Sequence, residues 1–186
     1  LPPGEIPKSL SKRQSSLCDI RLVDPSGNDV APGEPGEVAI RGATVFSGYW
    51  NAEGTNRSDF RGGWFHMGDL FRQNPDGSYD FVDRAKYMIK SGGENIYPAE
   101  IERVLLSDPR IADAVVVRKR DSHWGEVPVA FVARHDDGLS EADIEQLCRS
   151  QLAGYKRPKE VRFIPFADFP RSTTGKILRH ELEKLL

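Results

Sequence analysis

The chain carries 186 residues, with 26 Lys and Arg against 28 Asp and Glu and a formal net charge of −2. This length can bury a real core, as one large or two small domains. The even charge offers no basic field for nucleic acid, and no apolar run approaches the length of a membrane span.

Residues 1–16 are rich in Pro, Ser and Lys and read as a loop or extended entry segment. The first five residues carry no basic-then-apolar signal pattern, and a start at Leu1 without Met points to a fragment. Over residues 18–23, apolar Cys18, Ile20 and Leu22 alternate with Asp19 and Arg21, which predicts a half-buried strand. Asp24-Pro25-Ser26-Gly27-Asn28 predicts a hairpin turn, and Pro32-Gly33-Glu34-Pro35-Gly36 another, feeding a strand over residues 37–41. Gly48-Tyr49-Trp50-Asn51 is expected to close a third short element. Strands at this spacing predict a small antiparallel barrel or curled sheet. Asn74-Pro75-Asp76-Gly77 predicts a further turn, followed by a strand over residues 78–82.

Later in the chain the pattern changes. Pro98 suits a first helical position, and Glu100 and Glu102 follow where the helix dipole favours acids. Ile101, Val104 and Leu105, spaced i, i+3, i+4, predict an amphipathic helix that Asp108-Pro109 stops. Residues 114–117 and 127–133 read as buried strands, with Pro128 placing the second at an edge or marking its first residues. Ser140 and Asp143 resemble a capping box, opening a helix with Ile144, Leu147, Cys148 and Leu152 inward. Residues 160–164 predict a third strand, and Ile177, Leu178, Leu182 and Leu185 line a final helix. Two or three helices on one face of a small sheet make an α+β domain.

Cys18 and Cys148 are isolated and read as core or neutral positions in a reducing, cytoplasmic setting rather than as a disulfide. His66, His123, His135 and His180 show no ligand spacing, so no metal site is expected within the chain.

Between the two regions, Asp83, Arg84 and Lys86 lead into Met88-Ile89, a Ser91-Gly92-Gly93 loop and the Pro98 helix start. Adjacent glycines permit positive φ and close backbone approach; alone they read as a tight hairpin before a helix. The order of residues carries more. Asp83-Arg84, Lys86, Met88-Ile89, Ser91-Gly92-Gly93-Glu94-Asn95-Ile96 and Tyr97-Pro98-Ala99-Glu100 resemble the crossover segment of the adenylate-forming superfamily. That superfamily contains acyl- and aryl-CoA ligases, peptide-synthetase adenylation domains and beetle luciferases. Gly63-Trp64-Phe65-His66-Met67-Gly68-Asp69-Leu70 and Pro170-Arg171-Ser172-Thr173-Thr174-Gly175-Lys176-Ile177-Leu178-Arg179 resemble two further blocks of it, in the same order.

The resemblance implies residues 1–82 as the β-rich end of a larger N-terminal AMP-binding domain. It implies residues 83–186 as a mobile C-terminal α+β domain with a hinge near 84–87. It implies a parent that activates a carboxylic acid with ATP and Mg²⁺ to an acyl-adenylate and transfers the acyl group to CoA, releasing AMP. On the matching positions, Asp69 would bind the ribose hydroxyls, from a position read as the end of a strand, and Arg84 the ribose or phosphate. Lys86 would be the hinge and Lys176 the catalytic lysine bridging carboxylate and α-phosphate. Gly92 and Gly93 would line the pantetheine passage; Trp124, Tyr155, Arg157 and Lys159 would contact the CoA nucleotide. Met67 departs from the family's small hydroxyl residue at that position.

On charge alone Lys176 would sit at a helix N-terminus, against the dipole. The Ile89-Lys90-Ser91-Gly92-Gly93 run favours CoA over the carrier protein of a peptide synthetase, and Asn95-Ile96-Tyr97-Pro98 loosely resembles fatty and aromatic acid ligases. The alternatives are an adenylation domain serving a carrier protein, and a non-catalytic fragment that only binds nucleotide. The phosphate-holding loop, the acid pocket and the magnesium-holding glutamate of the family have no match in this sequence, so the fragment alone is expected to be inactive.

Overall fold

The computed structural model describes residues 11–135 and 137–186, so most of the expected entry segment lies outside the described residues. The chain divides into a first unit ending at Lys86 and a second unit of Tyr87–Leu186. Among the described residues no helix is long and apolar enough to cross a membrane.

In the first unit, β1 (Cys18–Val23) and β2 (Gly36–Gly42) pair antiparallel, from Cys18 opposite Gly42 to Val23 opposite Glu37. Asp24 fixes the turn after β1: its Oδ1 accepts the N–H groups of Ser26 (2.8 Å) and Asn28 (2.9 Å), the local bonding that suits Asp to turns. Residues 43–51 form no strand, against the expected third element. Phe46 and Tyr49 instead meet edge to face at 5.0 Å, and Phe46 meets Phe65 at 5.0 Å. The Asn56 side chain ties the loop down by accepting from Tyr49 N (2.7 Å) and donating to Tyr49 O (2.9 Å).

Asn56 lies in α1 (Glu53–Asp59), a helix with no buried residue and so no apolar stripe to betray it in sequence. β3 (Phe60–Arg61), β4 (Trp64–Gln73) and β5 (Tyr79–Arg84) complete the sheet. Among the described residues its order is β1-β2-β4-β3, with β5 also on β4. The Asn74–Gly77 turn joins β4 to β5 as expected, closed by Gly77 N donating to Asn74 O.

The second unit opens with a hairpin of β6 (Ile89–Ser91) and β7 (Glu94–Ile96), then α2 (Pro98–Leu105). β8 (Ile111–Asp121), β9 (Gly125–Arg134), α3 (Glu141–Gln151), β10 (Glu160–Phe163) and α4 (Arg179–Glu183) follow. β9 is central. β8 runs antiparallel along one edge; β10, parallel, and β6, antiparallel at Gly125, share the other. Pro128 is therefore not at a sheet edge. Its carbonyl accepts from Lys159 N (2.8 Å), so its nitrogen also faces the β6/β10 side, in the gap between the two partners where no ladder bond is required.

The helices do not share one face, as the sequence led us to expect. α2 and α3 cover a core of Ile89, Ile96, Ile101, Leu105, Val116 and Ile144, whereas Leu182 of α4 and Phe169 join Val115, Val129 and Phe131 on the other face. The reason is that β8 and β9 are apolar at successive residues, which is the pattern of strands buried on both sides. The Ser140 cap is as expected: its Oγ accepts from Asp143 N (3.3 Å), and Asp143 Oδ2 accepts from Ser140 N (2.9 Å). α4 is shorter than its apolar residues implied, since Ile177 and Leu178 precede it.

β8 is an edge strand, and side chains occupy its outer edge. Val116 N donates to Glu102 Oε1 (2.7 Å) and Val116 O accepts from Arg179 (2.6 Å). Arg179 also bonds Glu102 Oε2 (2.9 Å) and lies 4.8 Å from the Tyr87 ring centroid. One ion pair thus binds α2 and the start of α4 to the sheet.

Candidate functional site

In the first unit, Asp69 sits in the middle of β4 and not at a strand end, because β5 continues the pairing past it: Asp69 lies opposite Arg84 and Gln73 opposite Tyr79. Arg84 Nε is 2.9 Å from Asp69 Oδ1, and its Nη1 donates to Met67 O at 3.4 Å. Burial pushes the Asp69 carboxyl above its ordinary value, and the Arg84 cation pulls it partly back. Gly68, just before it, has φ +70°, so Met67-Gly68-Asp69 leaves regular strand geometry. Met67 itself is partly exposed and bonds Arg84 only through its carbonyl. Lys86 stands in a single 3-10 turn, Ala85–Tyr87, at the division between the units.

In the second unit the candidate residues fall at two ends of β8. Gly92 and Gly93 form the two-residue turn of the β6–β7 hairpin, with φ +58° and +89°, a geometry that glycine adopts without penalty. Gly92 N donates to Trp124 O (2.9 Å). The Trp124 indole lies so close that a Cβ on Gly92 would be 2.6 Å from its Cε3, while Gly93 faces open space. Asp121, the last residue of β8, accepts from Trp124 N (2.8 Å) and His123 N (2.9 Å). Those backbone donors, followed by the charges of His123 and Lys159, hold its carboxyl below the ordinary range. Tyr155 lies in the 3-10 turn Gly154–Lys156, which packs beside β7 and is anchored by Lys156 on Glu100 at 2.8 Å. Arg157 and Lys159 line an open groove of about 600 Å³ that also carries Glu141, Glu145 and Glu160. All six residues read as CoA contacts thus belong to this end or the groove beside it.

Lys176 is at the other end. Its loop is a small hairpin in which Arg171 bridges to Ile177 and Ser172 N donates to Lys176 O (2.8 Å), with Gly175 at φ +80°. Arg171 anchors it to Asp113, near the start of β8, at 2.8 Å. Lys176 is exposed and precedes α4 by three residues, so the expected opposition to a helix dipole does not arise. From Asp113 to Asp121 the strand advances roughly 26 Å. Among the described residues no group of three His, Cys, Asp or Glu is arranged to hold a metal ion.

Residues 100–176 match the AMP-binding enzyme C-terminal domain. The chain is 42% identical over 169 residues to the 2-succinylbenzoate–CoA ligase of Bacillus mycoides, covering 91% of this chain and 34% of that protein. The chain belongs to the adenylate-forming superfamily. A feruloyl-CoA synthase of an Amycolatopsis species is likewise 42% identical, over 91% of this chain and 34% of its own length. The solved o-succinylbenzoate CoA synthetase of Bacillus subtilis, in complex with its acyl-adenylate intermediate, superposes with a TM-score of 0.83 at 37% identity. It covers 90% of this chain and 34% of its own. The fold is therefore the α+β adenylate-forming one, and this chain spans about a third of the length of the curated relatives it matches.

The sequence reading did not single out Glu37 and His66, which lie against the Asp69 segment, nor the Glu102–Arg179 pair. Glu37 and His66 are 29 residues apart and Glu102 and Arg179 77, and no local pattern announces such pairing.

Proposed function

We propose that the protein containing this chain is an AMP-forming acyl-CoA ligase acting on an aromatic carboxylic acid. The acid class rests on the relatives, a 2-succinylbenzoate–CoA ligase and a feruloyl-CoA synthase; a fatty acid is the other class that the Asn95–Pro98 sequence allows. The observation that carries the reading is the separation of the candidate groups on one compact unit. Lys176 stands beside the Asp113 end of β8, and Gly92 and Trp124 beside the Asp121 end. One reacting carbonyl cannot meet both ends in a single arrangement, so the second unit turns about Lys86 between two half-reactions.

In the first, the acid's carboxylate oxygen attacks the α-phosphorus of ATP and pyrophosphate leaves. Asp69 accepts from the ribose hydroxyls, Arg84 holds the nucleotide, and the Lys176 ammonium neutralises the charge that builds between carboxylate and phosphate. In the second, the CoA sulfur attacks the adenylate's carbonyl carbon, its proton is lost and AMP leaves. Gly92 and Gly93 leave room for the pantetheine arm, Trp124 and Tyr155 offer aromatic faces to adenine, and Arg157 and Lys159 pair with phosphates. The magnesium ion of the first step would be held outside this chain.

The test is to incubate the full-length protein with ATP, Mg²⁺, CoA and a panel of aromatic and fatty acids, and to identify products by mass spectrometry. An aryl-CoA with AMP is expected. An adenylate that accumulates without a thioester would move the acceptor to a carrier protein and sink the CoA assignment.

A further inference from the structure

Between β2 and β4 the register jumps. Glu37 pairs with Leu70 and Ala39 with His66, so the single residue Val38 faces three residues, Met67, Gly68 and Asp69. Two extra residues are pushed out of the ladder, and Gly68 takes φ +70° to allow it. A bulge of this kind leaves backbone groups without a strand partner. The N–H of Gly68 donates instead to the Glu37 side chain, at 3.1 Å from Oε1. The other carboxylate oxygen, Oε2, accepts from Arg61 (2.9 Å) and faces His66 Nδ1 at 3.2 Å. The His66 side chain is 7% exposed and that of Glu37 18%, so this carboxylate is braced on three sides and mostly removed from water. On the opposite edge Arg84 grips the two residues that flank Gly68, through the Asp69 carboxylate and through Met67 O.

We infer that Glu37 is a positioning residue of the nucleotide site: by taking the Gly68 N–H that the bulge expels, it sets the direction in which Asp69 meets the ribose hydroxyls. A shorter or apolar side chain leaves the Gly68 N–H unpaired, and the bulge then relaxes toward regular strand, turning Asp69. Arg61 and His66 act one step back, by fixing the Glu37 rotamer. The inference rests on the reading of Asp69 as the ribose ligand.

The experiment separates the two. In the full-length protein, dissociation constants for ATP and for 2′,3′-dideoxy-ATP, which lacks the diol, are measured for the wild type, Glu37→Ala, Glu37→Gln, Asp69→Ala and the Glu37→Ala/Asp69→Ala double variant. Glu37→Ala is expected to weaken ATP about tenfold, to leave dideoxy-ATP unchanged, and to add nothing in the Asp69→Ala background. Glu37→Gln, which keeps an oxygen for Gly68 N–H, is expected to retain most of the affinity and guards against a misfolded Ala variant. Equal weakening of both nucleotides by Glu37→Ala would mean a merely structural carboxylate and overturns the inference. So does an unchanged ATP affinity in that variant while Asp69→Ala still weakens ATP. If Asp69→Ala leaves the preference for ATP over dideoxy-ATP intact, the ribose reading itself fails.

Discussion

At the scale of single residues, the groups that matter are separated by how they are held. Lys176 is exposed on a backbone-closed hairpin, so its removal should not disturb the fold. In the full-length protein Lys176→Ala should lower adenylation, read by pyrophosphate exchange, by roughly two to three orders of magnitude. Thioester formation from supplied acyl-adenylate should persist; equal loss in both steps would refute the assigned role. Asp69 is the reverse case, half-enclosed and paired. Its carboxyl is raised above 3.8 by burial, against the pull of Arg84, so the folded state binds this proton more tightly than the unfolded chain does. The group therefore opposes folding at neutral pH, and that opposition is relieved as pH falls through the raised pKa. Nucleotide affinity runs the other way, since only the carboxylate accepts from both hydroxyls. ATP affinity should be full well above that pKa and fall as pH drops through it. Arg84→Ala, which removes the opposing cation, should move the midpoint to higher pH in a titration of ATP binding, beyond any uniform loss of affinity. A midpoint that stays or moves down would show that Arg84 does not act on Asp69.

At the scale of elements, the β6–β7 turn makes the sharpest demand. Gly92 combines φ +58° with an indole in the space a Cβ would occupy, whereas Gly93 has only its φ of +89° to satisfy. Gly92→Ala should cost more stability than Gly93→Ala, about 1–3 kcal/mol against about 1. It should also shift tryptophan emission as Trp124 is displaced; equal costs and unchanged emission would contradict the packing. These elements also show what the sequence made legible. β1 and the capped α3 were readable because alternation and a Ser-x-x-Asp cap are local signals. α1 was not, because Glu-Gly-Thr-Asn-Arg-Ser-Asp has no apolar face. The side on which α4 packs and the mid-strand place of Asp69 were also hidden. Both follow from strand pairing between residues distant in the chain, which no local periodicity encodes. The Asp69, Arg84 and Lys176 positions were visible as motif matches, but not the bulge or the hairpin that presents them.

At the scale of the molecule, the chain spans about a third of its relatives' length, and the acid pocket and metal ligands are expected in the remainder. The isolated chain should give no acyl-CoA from ATP, CoA and any acid in the panel; measurable turnover would place the whole reaction within these residues. The Glu102–Arg179 pair on Val116 bears on the molecule in another way. By occupying the outward N–H and C=O of Val116, midway along the edge strand β8, it interrupts the template on which edge-to-edge association with a second chain begins. Glu102→Ala, which frees the Val116 N–H and strands the Arg179 charge, should raise self-association with rising concentration relative to the wild type, visible in light scattering and sedimentation. The ion pair that fastens two helices is, on this view, also what keeps neighbouring molecules apart.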